Sequence, residues 1–518
     1  MPLVQDSVMA ASALQENAPT MLSLALVVFL MPILYRLYFH PLSHVPGPLI
    51  GRVTSLYIYA ICYMGIEGRV LRQHHQKYNT KVLRVAPNSV SISDSTAVRD
   101  IYVTGGGFQK DFRYINFNLG DVISIFSALD TEYRDVRAKA VAPLFAPARL
   151  RLASERNGVI GACVAEFVKQ FQVLRTSALA QSTGAVRADI LDLCARLSID
   201  VVTGYLLHGS YGGLREHAGL SIEARQRTKL SANPFIFAIV AFSRFSLLPN
   251  WLFRLVYAIS SHISSNDNVA KAFARLDRFT DQIVKTACTD PSRAEDTFHG
   301  RLLNADMSPA EVVAQSKAII FAGADSTAVM LATTLFHLVQ NVDARSRLRH
   351  EIRGLDRHGA MDSQALPYLR AVVKEGLRLG MANPTRFTRV VPRNGLCVGT
   401  VHIPPGTVVG CAPYLLHHDP EVFPDPFKFR PERWLEDGQD NGLRRSNMES
   451  SLIPFGVGPR ACIGKNLAQQ QMYESITAVV DSGVLEGTRT CQQRIEIIEW
   501  FNGEIKGHKL EIEWSAGY

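Results

Sequence analysis

The residue whose surroundings most suggest chemistry is Cys462, in the segment PFGVGPRACIGKNLA at positions 454–468. Gly456, Gly458 and Gly464 surround it, and glycine allows backbone turns that other residues avoid. A cysteine thiolate is a nucleophile and a metal ligand, and backbone N–H groups directed at the sulfur tune its charge. The close backbone control of one thiol therefore indicates a functional cysteine, the alternative being an inert buried thiol.

The other cysteines form neither a metal-binding nor a disulfide pattern. The chain of 518 residues contains no C-x-x-C pair, which argues against a zinc site and against a disulfide framework. We therefore expect a reducing compartment. These cysteines are Cys62, Cys163, Cys194, Cys288, Cys397, Cys411 and Cys491.

A second polar group interrupts an apolar stretch, in the sequence AGADST at positions 322–327. Asp325, Ser326 and Thr327 place a carboxylate and two hydroxyls among apolar neighbours, and a buried charge is costly without a partner or a function. Ala322 and Ser326 share one helix face, where small side chains let a flat group approach the backbone. The alternative is that the small residues only permit close helix packing.

A long helix must position this group. Ser308, Pro309 and Glu311 form a helix-start pattern, with an N-cap serine, proline at the first helical position and glutamate three residues after the cap. The pattern continues without a breaker to about Gln340, which predicts a helix of roughly 32 residues and about 48 Å. Such a helix crosses a whole domain.

Charged residues in two further segments are candidates for a structural network. KEGLRL carries Glu375 and Arg378 on a predicted helix, and FRPERW carries Arg433 in an irregular, proline-rich segment. Each segment alone is typical of an exposed ion pair. Together they would form a network around the glutamate.

Composition and pattern indicate one large, mostly helical domain. The chain is 47% hydrophobic and 20% charged, which suits a large core, and it contains no internal repeat. Helical patterns dominate to about residue 380, positions 386–407 indicate short strands, and helix returns after Cys462. The net charge of +8 comes without a run of basic and aromatic residues, so we expect no nucleic-acid partner.

The four motifs, in this order along the chain, resemble those of the cytochrome P450 family of haem-thiolate monooxygenases. They are the acid-and-hydroxyl helix, E-x-x-R, PERW and F-G-x-G-x-R-x-C-x-G, and the segment HPLSHVPGP resembles fungal, membrane-anchored members. The resemblance implies a mainly α fold with small β-sheets, in one cytochrome P450-type domain over residues 51–518. It also implies insertion of one oxygen atom from O2 into a lipophilic small molecule, in fungal secondary-metabolite biosynthesis.

The resemblance assigns roles to individual residues. Cys462 would be the axial ligand of haem b, with Phe455 packed beside the sulfur and Gly464 letting the next helix approach the porphyrin. Asp325 and Ser326, with Thr327 beside them, would deliver protons, and serine stands here where the family usually has threonine. The remaining haem contacts would be Ala322, Tyr133, Arg137, Arg389 and Arg460, of which Tyr133 replaces the usual tryptophan. The structural triad would be Glu375, Arg378 and Arg433. The substrate pocket would include Tyr114, Ile319, Asn383 and Phe387.

The electrons must come from another protein, because the chain has no flavin or nicotinamide fingerprint. The implied partner is NADPH–cytochrome P450 reductase, docking near Arg134, Lys139 and Lys465, although these residues also suit an ordinary solvated surface. A haem-thiolate isomerase, dehydratase or peroxygenase is an alternative that has little need for Asp325 and Ser326. A haem sensor or electron carrier is a further alternative, which usually needs a second axial ligand.

The N-terminal segment predicts a membrane anchor. Positions 21–35 carry no charge, acidic residues precede them and basic residues follow, which predicts a lumenal segment 1–17, a transmembrane anchor 18–38 and a proline-rich hinge 39–50. The protein would then be a single-pass protein of the endoplasmic reticulum with a cytosolic catalytic domain. A cleaved signal peptide and a buried core helix are the alternatives. Apolar stretches at 234–242 and 246–253 suit either membrane contact or buried helix.

Overall fold

A computed structural model describes residues 21, 23–24, 26–118, 120–180, 185–263, 267–355, 363–435 and 441–515. The chain is mainly helical, as predicted. In chain order, the α-helices α1–α20 are Leu49–Val53, Leu56–Tyr63, Glu67–Lys77, Thr96–Tyr102, Thr131–Val141, Pro147–Ser154, Val159–Ala180, Ile190–Leu207, Gly213–Ala218, Ile222–Arg225, Asn233–Ser243, Asn250–Ile263, Asp267–Thr289, Phe298–Leu303, Pro309–Gln340, Val342–Leu355, Pro367–Leu379, Pro413–His417, Asn441–Ser451 and Lys465–Ser482.

Short strands form small sheets beside the helices. The strands β1–β12 are Val82–Ala86, Ser89–Ile92, Gln109–Lys110, Ala185–Asp189, Arg389–Val390, Leu396–Val398, Val401–Ile403, Val408–Cys411, Thr488–Thr490, Ile497–Ile498, Glu504–Ile505 and Glu511–Ser515. The largest described sheet has the order β1-β2-β8-β5-β3, and the others are β4-β12-β9, β6-β7 and β10-β11. The strands predicted at 386–407 are confirmed.

Helix predominates before residue 380, as predicted, although the sequence pattern did not reveal strands β1 and β2 there. These strands pair antiparallel, and β2 also pairs in parallel with β8, with Val90 opposite Val409. The partner strand lies more than 300 residues away in sequence, so a local pattern does not reveal the pairing. The sheet brings β3 and β5 together, with Lys110 opposite Arg389.

Helix α15 runs through the core and agrees with the predicted helix at both ends. The Ser308 hydroxyl accepts a hydrogen bond from the Glu311 N–H at 3.3 Å, which caps the first turn. Gly323 faces α8, where an added Cβ would come within 2.3 Å of Val202 Cγ2. Gly323 therefore permits close packing of α15 against α8, which is the alternative that the sequence offered for the small residues.

The N-terminal segment contributes an apolar helix, Leu26–Phe39, which is too short by itself to count as a span. Among the described residues, the helix that is long and apolar enough to cross a membrane is Pro309–Gln340, and 67% of its apolar window is buried, as in a core helix. The predicted lumenal segment 1–17 lies outside the described residues. The anchor predicted at 18–38 stays a prediction.

Candidate active site

The loop before Cys462 folds through two turns that require glycine. Gly456 and Gly458 have φ angles of 63° and 75°, in the left-handed region that favours glycine, so this prediction is confirmed. A Cβ on Gly458 would also lie 1.9 Å from the Tyr102 carbonyl oxygen. The Cys462 N–H then donates to the Phe455 carbonyl oxygen at 2.9 Å, which closes the loop.

Cys462 lies just before the N-terminus of α20 and is accessible. The surrounding protein removes enough water to raise the pKa of the thiol, while the N–H groups of Gly464 and Lys465 oppose the rise. A Cβ on Gly464 would lie 3.9 Å from the Cys462 sulfur, which is an ordinary van der Waals distance. The contacts within the protein therefore leave room for a side chain at this position. Phe455 is half-buried and packs on the main core.

The acid and hydroxyls of α15 point in different directions. The Ser326 hydroxyl donates to the Ala322 carbonyl oxygen at 2.6 Å, and Ala322 is exposed in the middle of a largely buried helix. Thr327 is buried. Asp325 lies on a cavity between α15, α8, α11 and β11, where burial and the like charge of Glu504 raise the pKa of Asp325 to about 7.

Three cations meet beside the aromatic Tyr114. Lys110 and Arg389 are 6% and 5% exposed, and Arg460 is half-buried. Within the described chain none of the three forms a salt bridge: Lys110 donates to the Phe126 carbonyl at 2.5 Å, and Arg389 to the Tyr114 hydroxyl at 3.5 Å. Burial and the charges of Arg389 and Arg460 hold the pKa of Lys110 well below its usual value.

The third cation, Arg460, reaches the same region from the cysteine loop. It donates to the carbonyl oxygens of Ala128 and Leu129, each at 3.1 Å. Buried cations without carboxylate partners are costly, so this group, which we call the cation cluster (Lys110, Arg389 and Arg460), suits an anionic ligand. Lys110 was missed in the sequence because a lone lysine in a turn-rich segment has no distinguishing pattern.

Tyr133 and Arg137, which we expected at a propionate, are engaged by an acid instead. The Arg137 guanidinium donates to Glu311 at 2.5 and 3.0 Å and stacks on the Tyr133 ring, and the Tyr133 hydroxyl donates to the same carboxylate at 3.0 Å. Although burial opposes it, these hydrogen bonds hold the pKa of Glu311 below its usual value. The positive charge of Arg137 is thus already balanced by Glu311, whereas the charges of the cation cluster are not balanced by a carboxylate among the described residues.

Glu375 lies at the centre of a buried network and is not part of an exposed ion pair. Arg378 donates to it at 3.0 and 2.8 Å, Arg433 at 3.1 Å, and all three side chains are 0% exposed. The Trp434 indole N–H donates to it at 2.9 Å, and the Arg430 backbone N–H at 3.0 Å. These donors hold the pKa of Glu375 below its usual value although burial raises it.

Two of the four residues expected to line a pocket, Tyr114 and Asn383, contact an aromatic cluster. Tyr114 is buried, and its ring lies 5.7–6.0 Å from those of Phe117, Phe126 and Phe501. The Asn383 amide donates to the Phe501 carbonyl at 2.9 Å and so fixes the turn that carries this ring. Phe387 and Ile319 are both half-buried, Phe387 packing on the β-sheet core and Ile319 on the main core.

These residues fit a haem. A haem presents two carboxylates, a flat ring and an iron that takes a thiolate. The cation cluster offers charge for the carboxylates, and the accessible Cys462 thiol offers the ligand. Gly464 and the exposed Ala322 offer small surfaces on the two elements that would flank the ring.

Comparisons with known proteins identify a family for the whole chain. The family model described as Cytochrome P450 matches residues 55–482. The chain is 64% identical to "Cytochrome P450 monooxygenase mfmF" of Annulohypoxylon moriforme, over 95% of this chain and 98% of that protein. It is 27% identical to "Cytochrome P450 monooxygenase poxM" of Penicillium oxalicum, over 92% and 91%.

The fold matches as well. A crystal structure of a cytochrome P450, CYP102L1, superposes with a TM-score of 0.65 at 16% identity, covering 86% of this chain and 94% of that one. At this identity the likeness concerns the fold alone. Because the family model covers most of the chain and a 64% identical relative spans nearly all of it, the protein belongs to the cytochrome P450 family of monooxygenases.

Proposed function

We propose that the protein is a membrane-bound haem-thiolate monooxygenase that hydroxylates a lipophilic small molecule in fungal secondary metabolism. The overall change is substrate-H plus O2, NADPH and a proton, giving substrate-OH, water and NADP⁺. The observation that carries the proposal is the accessible thiol of Cys462 together with the cation cluster, in which the buried Lys110 and Arg389 and the half-buried Arg460 form no salt bridge within the described residues.

Cys462 would hold the haem iron, and the cation cluster would hold the propionates. When bound, the haem supplies activation of O2, because a thiolate ligand favours cleavage of the O–O bond. Gly464 and Ala322 would let the ring lie close to their helices, and Phe455 would exclude water from the sulfur. Contact of Tyr133 and Arg137 with a propionate stays a prediction, which requires them to leave Glu311.

Asp325 and Ser326 would supply the protons, with Thr327 buried beside them. The Ser326 hydroxyl donates to a backbone carbonyl, so its oxygen lone pairs are available to accept from a water. A carboxyl group whose pKa lies near 7 both gives and accepts protons at neutral pH, as a general acid–base group must. This pairing favours a monooxygenase over a haem-thiolate isomerase, dehydratase or peroxygenase.

The substrate would bind beside the aromatic cluster. Tyr114, Phe117, Phe126 and Phe501 present ring surfaces, and Ile319, Asn383 and Phe387 are the further pocket residues proposed from motif position. Ring surfaces with few polar groups select an apolar molecule.

Membrane attachment is supported by an exposed apolar surface. Helix α2 exposes Leu56 and Tyr63, and α12 exposes Trp251, Leu255 and Ile259 on one face, at 50–70% of each residue. An exposed apolar patch of this kind marks a protein or membrane contact. We propose that this surface, together with an anchor at 18–38, holds the protein on the endoplasmic reticulum.

The partner is proposed to be the NADPH–cytochrome P450 reductase, docking on the cysteine side. Lys139 and Lys465 are exposed there, whereas Arg134 is paired with Asp135 at 2.9 Å. Exposed lysines suit an acidic partner surface, since opposite charges speed association. Cys462 lies three residues before Lys465, so electrons would arrive close to the thiolate.

The decisive experiment is reconstitution in vesicles with the reductase, NADPH and an extract of candidate lipophilic metabolites. We expect a product heavier by one oxygen atom, with ¹⁸O incorporated from labelled O2, only when reductase and NADPH are both present. Product formed without them would favour the isomerase, dehydratase or peroxygenase alternative.

A further inference from the structure

Asp325 shares its cavity with two titratable groups of the C-terminal hairpin. The cavity has a volume of about 30 Å³ and is lined by Asp325, Glu504 and His508, with Asn233, Phe237 and Val329. A water needs about 10–15 Å³ of such space and several polar partners, so the cavity has room for one or two waters. Glu504 and His508 lie on β11 and the turn that follows it.

The other polar groups of the cavity are already engaged. The Asn233 amide donates to Asp192 at 2.9 Å, and Asp192 is paired with Arg196 at 2.6 Å. In contrast, Asp325 has no hydrogen-bond partner in the described part of the chain, although buried acids are usually satisfied. The groups left to exchange protons with a water here are Asp325, Glu504 and His508.

These groups also form a sequence from the interior to the surface. Asp325 precedes the Ser326 hydroxyl directly in α15, and Glu504 is only 9% exposed. Glu504 Oε1 lies 3.1 Å from His508 Nε2, and the His508 side chain is 39% exposed. The histidine is held in place by its ring contact with Phe237, at 4.0 Å between centroids.

We infer that His508 and Glu504 form a proton entry route that reloads Asp325 during turnover. This inference rests on the proposed function. Each step moves one proton: solvent protonates His508, His508 protonates Glu504, a cavity water carries the proton to Asp325, and Asp325 releases it on the Ser326 side. Two passages supply the two protons that leave, with one oxygen atom of O2, as water.

The charged surroundings suit such a route. Burial raises the pKa of Glu504 to about 7, which Arg244 opposes, and burial with the charge of Glu504 raises that of Asp325 to about 7. Burial and Lys229 lower the pKa of His508. Two carboxyl groups that titrate near neutral pH, behind a histidine that readily releases its proton, pass protons with small free-energy steps.

The first test needs no turnover. Infrared spectroscopy of the purified protein should detect the C=O stretch of protonated carboxylic acids at pH 7, and Asp325→Asn and Glu504→Gln should each remove part of it. In Glu504→Gln the titration midpoint of the remaining band should move to lower pH, since the like charge is gone. A wild-type protein without a protonated carboxyl at pH 7 would overturn the inference, whatever its activity.

The second test uses the reconstituted enzyme. We expect Glu504→Gln and His508→Asn to bind haem normally. Product per NADPH should fall by roughly tenfold, a smaller loss than that caused by removing a group that transfers the proton directly. The solvent isotope effect should be larger than in wild type. Glu504→Asp should recover part of the coupling. Glu496→Gln, an exposed glutamate near this hairpin, is the control and should behave as wild type.

The outcomes separate the inference from the proposed function. If wild type hydroxylates its substrate and Glu504→Gln keeps both coupling and isotope effect, the route is wrong and the function stands. If wild type makes no oxygenated product, the proposed function fails, and the infrared titration still decides whether the pair holds protons.

Discussion

The Ser326 hydroxyl donates a hydrogen bond to the Ala322 carbonyl oxygen, four residues earlier in the long helix, at 2.6 Å. This contact fixes the hydroxyl on the helix face that carries the exposed Ala322. The oxygen of Ser326 is thereby oriented to accept from a water, and its acid neighbour Asp325 lies on the adjacent cavity. Serine keeps the hydroxyl of threonine and lacks only its methyl group, so the proposed role in proton delivery does not require threonine.

Ser326→Ala should uncouple the enzyme while leaving substrate binding almost unchanged. The substitution removes the acceptor for the water but no bulk from the haem side. We expect product per NADPH to fall toward the low end of the 10²- to 10⁴-fold range typical of proton-transfer groups, with peroxide replacing product. Measuring product and peroxide per NADPH checks this, and Ser326→Thr serves as control. Unchanged coupling would make Ser326 a packing residue.

Cys462→Ala should abolish the thiolate-type spectrum of the reduced carbon monoxide complex. The loop offers one thiol, and its backbone hydrogen bond to Phe455 does not depend on the sulfur, so the fold should survive. Cys288→Ala, at an exposed cysteine on α13, is the matched control and should keep the spectrum. A Cys462→Ala protein with the wild-type spectrum would mean that another residue is the ligand.

Lys110→Met should have opposite effects on the empty and the haem-loaded protein. Without haem, the variant should be more stable, because a buried cation beside Arg389 is gone. With haem, transfer to an acceptor protein should be at least about tenfold faster, since losing one partner of a buried charge pair typically costs about 2–5 kcal/mol. Lys139→Met, at an exposed lysine, is the control. Equal transfer rates would remove Lys110 from the propionate site.

Asp325→Asn should stabilise the protein more at pH 8 than at pH 5. The pKa of Asp325 is about 7 in the folded protein against 3.8 ordinarily, so the unfolded chain releases a proton that the folded protein keeps. Stability from this group therefore falls as pH rises from about 4 to 7, and asparagine escapes the loss. We expect a difference of roughly 2–3 kcal/mol between the two pH values, measured by thermal unfolding.

The control for this measurement is Asp121→Asn, the same substitution at an exposed aspartate. A stability gain for Asp325→Asn that is equal at pH 5 and pH 8 would contradict the elevated pKa.

Deleting residues 1–38 should weaken membrane association without abolishing it. The remaining association should come from the apolar surface, and adding Trp251→Ser and Leu255→Ser should release the protein, because each exposed side chain contributes about 1.5–3 kcal/mol when buried in lipid. Leu443→Ser, at a residue 79% exposed on α19, is the control for a generic loss of surface apolarity. A full-length protein released by carbonate washing would contradict membrane anchoring.

Local features were decided by the sequence alone. The bounds of α15, the glycine turns before Cys462 and the strands at 386–407 follow from caps, glycine conformations and period-two patterns, each of which acts within a few residues. The order of the four motifs was enough to indicate the family. These features do not depend on which distant segments of the chain come into contact.

The tertiary structure decided which distant side chains share one environment. Lys110 meets Arg389 because β3 pairs with β5, and Glu504 faces Asp325 because the C-terminal hairpin closes over α15. Arg137 is paired with Glu311, which lies 174 residues away and which the sequence pattern identified only as part of a helix start. The physical reason is that burial and charge pairing depend on the packing of whole elements, whereas caps and turns depend on adjacent residues.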